Sequence, residues 1–202
     1  MIKKLAPALV TLLIAASAQA APVAGVSLSN VTTFTGDGPW SLGYRFTALN
    51  NISVTALGAY DLGGDGFLNA HQVGIWTAGG TLLASTTVTS ANAFSNDFRY
   101  GAIASLALTA GQDYIVAASD FGGAGQDTYA LTATITAAPA VQYVSSQYLR
   151  TSGLAFASVV GDSGGYFGGN FQYQDGTVPE PAPLALTGAA LVALTLMRRR
   201  KA

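Results

Sequence analysis

The chain has 202 residues, of which 9% are charged and 50% hydrophobic, with no cysteine and a formal net charge of −1. A soluble domain usually carries about 25% charged residues, so this composition argues against a cytosolic helical enzyme and against a coiled coil. The small net charge argues against a nucleic-acid binder, and the lack of cysteine excludes disulfides, thiolate zinc sites and cysteine nucleophiles.

The first 20 residues have the composition of an export signal. Two lysines precede an apolar run over residues 5–16, which at roughly 12 residues is too short to span a bilayer and suits the core of a signal peptide. The small residues Ala18 and Ala20 fit the narrow subsites of a signal peptidase. We therefore predict a signal helix over residues 1–20 that is cleaved after Ala20, the alternative being an uncleaved N-terminal anchor.

Residues 21–177 are predicted to form one all-β domain. Residues 40–46 alternate large apolar side chains with small or polar ones, as a half-buried strand does. Residues 73–77 and 82–88 flank Ala78-Gly79-Gly80, which is a hairpin signal. The other predicted strands are 52–56, 98–103, 106–108, 114–118, 129–136, 141–149, 154–160 and 171–173.

About ten short strands separated by Gly and Asp turns are typical of an antiparallel β-sandwich, either jelly-roll or immunoglobulin-like. This predicted domain contains three arginines, nine aspartates, no lysine and no glutamate, which gives it a net charge of −6. The near-neutral total of the chain therefore hides an acidic domain between two basic ends.

Several segments between residues 43 and 118 resemble a recurring domain of bacterial secreted proteins. That domain is a β-sandwich of unknown function, so the resemblance implies the same fold and supplies no catalytic residue. The segments that carry the resemblance are 57–61, 64–66, 71–76, 80–85, 98–100 and 108–116.

The segment 61–72 partly fits the calcium-binding loop of an EF-hand. Asp61 and Asp65 take the first and fifth positions of that loop, and Asn69 takes the ninth. Gly and Gln stand at two other ligand positions, and the flanks read as strands rather than helices. The sequence therefore leaves two interpretations, a calcium site at Asp61, Asp65 and Asn69 or a solvated hairpin loop.

Two further Asp/Gly segments, 122–129 and 161–170, read as loops. The first matches one copy of a calcium-binding nonapeptide repeat, but that repeat holds its ion between successive copies and no second copy follows. Together with residues 61–71, these loops could build a site if they converged at one end of the sandwich.

Motifs for catalysis are missing from the sequence. His71 is the only histidine and is expected in a loop or at the rim of a strand. No Gly-x-Ser-x-Gly elbow, phosphate loop or dinucleotide fingerprint is present, and nothing singles out one pair of aspartates for glycoside hydrolysis. We therefore predict that the chain is not an enzyme and has no cofactor other than the candidate calcium ion.

Aromatic side chains offer a different kind of site. Tyr166 and Phe167 lie in the Gly-rich segment 161–170 and are the best candidates for stacking on sugar rings. Most aromatic residues at strand positions are expected in the core. Those that could also stack on sugars if exposed are Trp40, Trp76, Tyr100, Tyr143, Tyr148 and Tyr173.

The C-terminal segment 178–202 combines three features in a fixed order. Val178, Pro179, Glu180 and Pro181 come first, followed by an apolar stretch. That stretch, over 182–197, reaches about 24 Å as a helix, short of the roughly 30 Å hydrocarbon core but apolar enough for membrane insertion. The basic residues that end it act as a stop-transfer signal under the positive-inside rule. They are Arg198, Arg199, Arg200 and Lys201. The alternative is an ordinary C-terminal anchor, which needs no Pro-Glu-Pro segment.

This combination resembles the PEP-CTERM sorting signal of Gram-negative envelope proteins. The resemblance covers residues 178–202 and implies processing by an exosortase-type membrane transpeptidase. It also implies anchoring in the inner membrane before processing, and sorting to the cell surface or an exopolysaccharide matrix afterwards.

The sequence thus predicts three parts: a signal peptide over 1–20, a β-sandwich over 21–177 and a sorting and anchor segment over 178–202. The predicted function is that of an exported cell-surface or extracellular-matrix protein with a non-catalytic structural or interaction domain. The alternative is a carbohydrate- or calcium-binding module. The expected partners are signal peptidase, the exosortase-type enzyme, the inner membrane and exopolysaccharide, and no nucleic acid.

Overall fold

The structure, a computed structural model, describes residues 21–162 and 164–175. Within these residues the chain forms fourteen β-strands and one short 3₁₀ turn, Leu62–Gly64. Neighbouring strands pair in the antiparallel sense throughout. The strands are β1 Val23–Ala24, β2 Val26–Phe34, β3 Trp40–Ala48, β4 Ile52–Tyr60, β5 His71–Thr77, β6 Leu82–Val88, β7 Ala93–Ser95, β8 Phe98–Leu108, β9 Asp113–Phe121, β10 Tyr129–Ala137, β11 Val141–Arg150, β12 Val159–Val160, β13 Gly165–Phe167 and β14 Gly169–Asp175.

These strands form three sheets. One has the order β12-β11-β3-β9-β5-β6, the second β1-β14-β4-β8-β7, and the third β13-β10-β2. The two larger sheets face each other, because Phe46 of β3 stacks on Phe171 of β14 with ring centroids 4.6 Å apart. The fold is therefore all-β, antiparallel and sandwich-like, as the sequence predicts.

Alternation along β3 shows why the sequence folds in this way. Leu42, Tyr44 and Phe46 are buried between the sheets, while Arg45 and Thr47 are only partly buried. Each large apolar side chain removed from water contributes roughly 1.5–3 kcal/mol, so one face of the strand fixes its orientation. The prediction of a half-buried strand at this position is confirmed.

The predicted hairpin is also confirmed, with β5 and β6 joined by a turn in which Gly80 has a φ of +89°. In contrast, the two strands predicted at 98–103 and 106–108 are one continuous strand, β8. Its pairing with β4 passes through a register shift between Val54 and Ala56, so the chain bulges and continues.

The strand predicted over 154–160 is wrong except at Val159–Val160. The apolar residues before it do not enter a sheet. Phe156 packs against Trp76, with ring centroids 6.2 Å apart, and Leu154 belongs to the same small cluster. The residues before Val159 are therefore apolar because they are buried against Trp76, and not because they pair in a sheet.

The sequence pattern did not predict four of the strands, β1, β2, β7 and β13. The longest, Val26–Phe34, contains several Ser and Thr residues, and most of its side chains are not buried. It pairs with the similarly exposed strand β10, and apolar residues of both strands, such as Leu28 and Ile135, pack against the core of the sandwich.

The direction of the strands defines two ends of the sandwich. Because β3 leads directly into β4, Ala48 and Ile52 lie at one end, and Trp40 and Tyr60 lie at the other, which we call the loop end. Strand β14 finishes beside Ile52, since Asp175 is paired with it. The last described strand therefore leaves the domain at the end opposite to the loop end.

The predicted signal segment with Ala18 and Ala20, and the predicted sorting and anchor segment 178–202, lie outside the described residues. Within 21–162 and 164–175, no helix has the length and apolar character needed to cross a membrane.

Candidate functional site

Two of the three Asp/Gly loops meet at the loop end. The backbone amide of Leu68 donates to Asp127 Oδ1 at 2.9 Å, and Asn69 Nδ2 donates to the Gly125 carbonyl at 3.1 Å. The loop after β4 is thereby held against the loop after β9. We refer to Asp61, His71, Arg99 and Asp127, with the loops that they hold, as the polar cluster.

The third segment, 161–170, is only partly a loop. Residues 165–167 form β13, in which Phe167 pairs with Ala130 of β10. This segment contacts the segment 122–129 directly, since the rings of Tyr166 and Tyr129 have centroids 6.4 Å apart. The segment 122–129 therefore contacts both of the others, through its Asp127 and Gly125 on one side and its Tyr129 on the other.

His71 is fully buried in the core rather than placed in a loop or at a rim, so that expectation is wrong. Its ring stacks on Phe121 with centroids 4.1 Å apart and planes 9° apart. Its Nδ1 lies 2.7 Å from the Ser119 carbonyl oxygen, and its Nε2 lies 3.0 Å from Asp127 Oδ2. Both ring nitrogens are therefore engaged by oxygen atoms of the protein.

Asp127 is the acceptor at the centre of the polar cluster. In addition to facing His71, it accepts hydrogen bonds from the amides of Leu68 and Asn69, at 2.9 and 3.4 Å. Burial alone would raise the pKa of Asp127, but the hydrogen bonds from His71 and Leu68 outweigh it and lower the pKa. The carboxylate is therefore held in its charged form.

Arg99 fastens the loops around Asp61. Its Nε donates to Asp61 Oδ2 at 2.5 Å, and the two side chains are only 13% and 1% exposed. The other guanidinium nitrogens donate to the carbonyl oxygens of Gly64, Ser90 and Asn92 at 2.8 to 3.1 Å. Burial raises the pKa of Asp61, and the hydrogen bond and charge of Arg99 oppose this.

The structure gives the predicted calcium ligands other partners. Asp61 is bonded to Arg99, and Asn69 donates its side-chain amide to Gly125. Within the described part of the chain, no group of three or more His, Cys, Asp or Glu side chains could hold a metal ion. A calcium site at Asp61, Asp65 and Asn69 stays a prediction, and binding there would require Asp61 to leave Arg99.

A small pocket of about 160 Å³ opens at the same end of the sandwich. Three strands bring its residues to this end, because β3 and β10 begin there and β11 ends there. We call it the aromatic pocket. It is lined by Asp37, Trp40, Leu42, Tyr129, Tyr148 and Tyr166.

Five of these side chains contact one another in a closed circuit. Trp40 meets Tyr148 with centroids 5.8 Å apart, and Tyr148 meets Tyr166 at 5.4 Å. Tyr166 then contacts Tyr129 at 6.4 Å. Asp37 closes the circuit, since it accepts hydrogen bonds from Trp40 Nε1 at 2.9 Å and from the Tyr129 hydroxyl at 3.2 Å.

One negative charge dominates the aromatic pocket. Asp37 is the only charged side chain among the described residues that line it. Burial, together with the neighbouring charge of Asp37, raises the pKa of Tyr129, so that hydroxyl stays protonated and donates. Arg150 places its guanidinium 5.4 Å from the Trp40 ring centroid but does not line the pocket.

The two candidates for sugar stacking have different positions. Tyr166 is half-buried and lines the aromatic pocket, whereas Phe167 is fully buried and packs on Tyr44 in the core. The expectation of an exposed Phe167 is therefore wrong.

Sequence reasoning missed the role of Asp37. The available signal was its position three residues before Trp40 in a Gly- and Pro-containing turn, a spacing that lets a carboxylate reach the indole N–H. Trp40 and Tyr148 were among the aromatics that could stack if exposed, and both line the pocket.

Comparison with known protein families finds a match over most of the chain. The model of a family described as "Domain of unknown function (DUF4082)" matches residues 27–181. No curated protein and no solved structure matches the chain.

Proposed function

Since the chain belongs to the DUF4082 family over residues 27–181, whose description leaves its role open, we propose an exported cell-surface or extracellular-matrix protein whose β-sandwich binds partners and catalyses no reaction. The observation that carries this proposal is the composition of the aromatic pocket. It presents four aromatic rings, a leucine and a single carboxylate to a ligand.

Such a lining favours binding over catalysis. General acid–base chemistry needs groups with matched pKa values, and glycoside hydrolysis needs two carboxyl groups on either side of the bond. Asp37 stands alone in the aromatic pocket and already accepts two hydrogen bonds. His71, the only histidine of the chain, is buried with both ring nitrogens engaged.

Export and sorting complete the proposal. The signal segment 1–20 directs the chain across the inner membrane of a Gram-negative cell. The Pro179-Glu180-Pro181 segment is the element that an exosortase-type enzyme recognises, and the following apolar stretch with its basic end holds the chain until processing. The support for this part is the order of the three features in the sequence.

Replacing Pro179, Glu180 and Pro181 together by alanine tests the sorting step. We expect the wild-type chain to be shortened and recovered at the cell surface or in the medium. The triple variant is expected to stay in the inner membrane at its unprocessed size. Cell fractionation with immunoblotting measures both, and Pro183→Ala, just behind the motif, is the control. Equal processing of all three chains would overturn the sorting proposal.

A further inference from the structure

We propose that the aromatic pocket is a cage for an organic ammonium group. The ligand class is defined by a positively charged nitrogen, carried by a choline-type head group or by the amine of an amino sugar. This inference rests on the proposed function, because it names the ligand of the same non-catalytic module.

The arrangement of the rings is the first reason. Successive rings from Trp40 through Tyr148 and Tyr166 to Tyr129 meet at 79°, 52° and 41°. They therefore surround a space instead of presenting one flat platform. An aromatic face carries partial negative charge, and several faces around one volume attract a cation from several sides.

The carboxylate is the second reason. Asp37 joins both ends of the ring series through Trp40 and Tyr129, so its negative charge lies within the wall of the cage. A carboxylate has about four lone-pair positions, which leaves acceptor capacity beyond these two donors. An ammonium group is attracted to it directly, while the remaining rings exclude water around the methyl or methylene groups.

The size of the pocket is the third reason. Its volume of about 160 Å³ is below the roughly 300–1,000 Å³ of typical small-molecule sites. It therefore suits one compact group at the end of a larger molecule. The buried side chain of Leu42, 1% exposed, adds an apolar wall that suits N-methyl or adjacent methylene groups.

The charge of the surrounding domain also favours a cationic ligand. The segment 21–177 carries a net charge of −6, which attracts cations and repels acidic polymers. The guanidinium of Arg150 already rests over the Trp40 ring at 5.4 Å, which is the same kind of attraction within the protein. Because Arg150 does not line the pocket, it leaves the space inside free and opposes a second cation only through its charge.

A titration of the full-length chain tests the inference. The ¹⁵N-labelled protein is kept in a non-ionic detergent without sugar or ammonium groups, and choline chloride is added against a sodium chloride control. The indole N–H signal of Trp40 reports on the cage because this group donates to Asp37. Trp76, which is 4% exposed and packs on Phe156, is the internal reference.

We expect choline to shift the Trp40 signal with a Kd on the order of 1 mM, as a small ligand with a few favourable contacts would give. The matched uncharged probe is 3,3-dimethylbutan-1-ol, in which carbon replaces the quaternary nitrogen, and it should bind at least about tenfold more weakly. Glucosamine against glucose separates an amino-sugar source from a choline-type source. Binding of either ammonium compound over its uncharged counterpart supports the cage.

Variants identify the groups that bind. Asp37→Asn keeps the shape and should weaken choline binding about tenfold, and Tyr148→Ala should weaken it by a similar factor. Arg150→Gln should tighten binding by up to about fivefold, because it removes a competing positive charge. Arg45→Gln, which removes the same charge beside Asp113 at the other end of β3, is the control and should change nothing.

Three outcomes would overturn the cage. Equal shifts from choline and its uncharged counterpart would show an apolar pocket, and a shift from glucose alone would show a neutral sugar site. Both would leave the module a binding protein. The third is that no probe moves the Trp40 signal. If the wild-type chain is nevertheless processed normally in the Pro179-Glu180-Pro181 experiment, the ligand assignment has failed and the export proposal has not.

Discussion

Asp127 and Asp37 lie at the same end of the sandwich and both line an open pocket, but the protein uses their acceptor positions differently. Asp127 faces His71 and two backbone amides, so three donors of the protein share its carboxylate. Asp37 accepts from Trp40 and Tyr129 and otherwise lines an open pocket. The comparison teaches that a carboxylate at an opening stabilises the fold when three donors of the protein use it, whereas one with only two donors keeps acceptor positions for a ligand.

The largest effect is expected from Arg99→Met in the polar cluster. The substitution leaves Asp61, 1% exposed, without its ionic partner. Breaking a buried pair in this way costs about 3–5 kcal/mol. Urea unfolding followed by circular dichroism measures the loss. Arg45→Met is the control, because the Arg45–Asp113 pair is 40% and 28% exposed and should contribute less than about 1 kcal/mol. Equal losses would show that burial does not separate the two pairs.

A direct test of the two aspartates is the same substitution at each. At Asp127, asparagine has one oxygen for three donors, and its amide must face a backbone N–H, so we expect a loss of about 1–3 kcal/mol. At Asp37, asparagine can accept from Trp40 and donate to the Tyr129 oxygen, so the expected loss is below about 1 kcal/mol. Thermal unfolding of both variants measures the difference. A larger loss at Asp37 would reverse the comparison.

Acid should lower the free energy of unfolding by a smaller amount than these substitutions do. The loss comes from protonation of the carboxylates whose pKa is lowered in the folded state. The pKa of Asp127 is lowered by His71 and Leu68 against the effect of burial, and that of Asp113 is lowered by Thr47 and Arg45. A depressed pKa contributes stability above the unfolded value, about 3.9 for Asp. That contribution is lost as the pH falls through the folded value.

The unfolding free energy measured in urea from pH 6 to pH 2 should therefore drop below about pH 4. The drop should be smaller in Asp127→Asn, which lacks one of the two groups. A drop of the same size in that variant would contradict the assignment to Asp127.

Calcium gives the smallest expected effect. Since Asp61 is bonded to Arg99, we expect no affinity tighter than the millimolar concentration tested. An ion at its Kd stabilises by about 0.4 kcal/mol. The shift in Tm should therefore be about 1 °C or less. A clear rise with calcium but not magnesium, abolished by Asp65→Asn, would instead support the site at Asp61, Asp65 and Asn69.

Local patterns predict the strands that have one buried face. The alternation of Trp40 to Phe46 and the turn at Gly80 are confirmed because they depend on neighbours within a few residues. Strand β2 was missed because its Ser and Thr residues are mostly exposed, and because the residues that pack on the core, Val26, Leu28 and Val31, do not alternate regularly. The apolar residues 154–157 misled the prediction, since they pack against Trp76 from outside the sheet.

The candidate site depends on contacts between distant parts of the chain. His71 and Asp127 are 56 residues apart, and Tyr129 and Asp37 are 92 residues apart. No periodicity records such pairs, so a buried His71 was mistaken for a rim residue. The exposure of Tyr166 depends on which face of β13 it occupies, and the composition of a Gly-rich segment does not contain that information.

Strand β14 has a mechanical consequence. It runs from the loop end to the opposite end and pairs with β4 along the whole of Gly169–Asp175. If a partner is held at the aromatic pocket while the chain is tethered beyond Asp175, the pulling force runs lengthwise along β14. Hydrogen bonds between antiparallel strands lie across that direction, so they share the load in shear instead of opening one after another. The aromatic pocket lies at the loop end, and β14 finishes at the opposite end, beside Ile52.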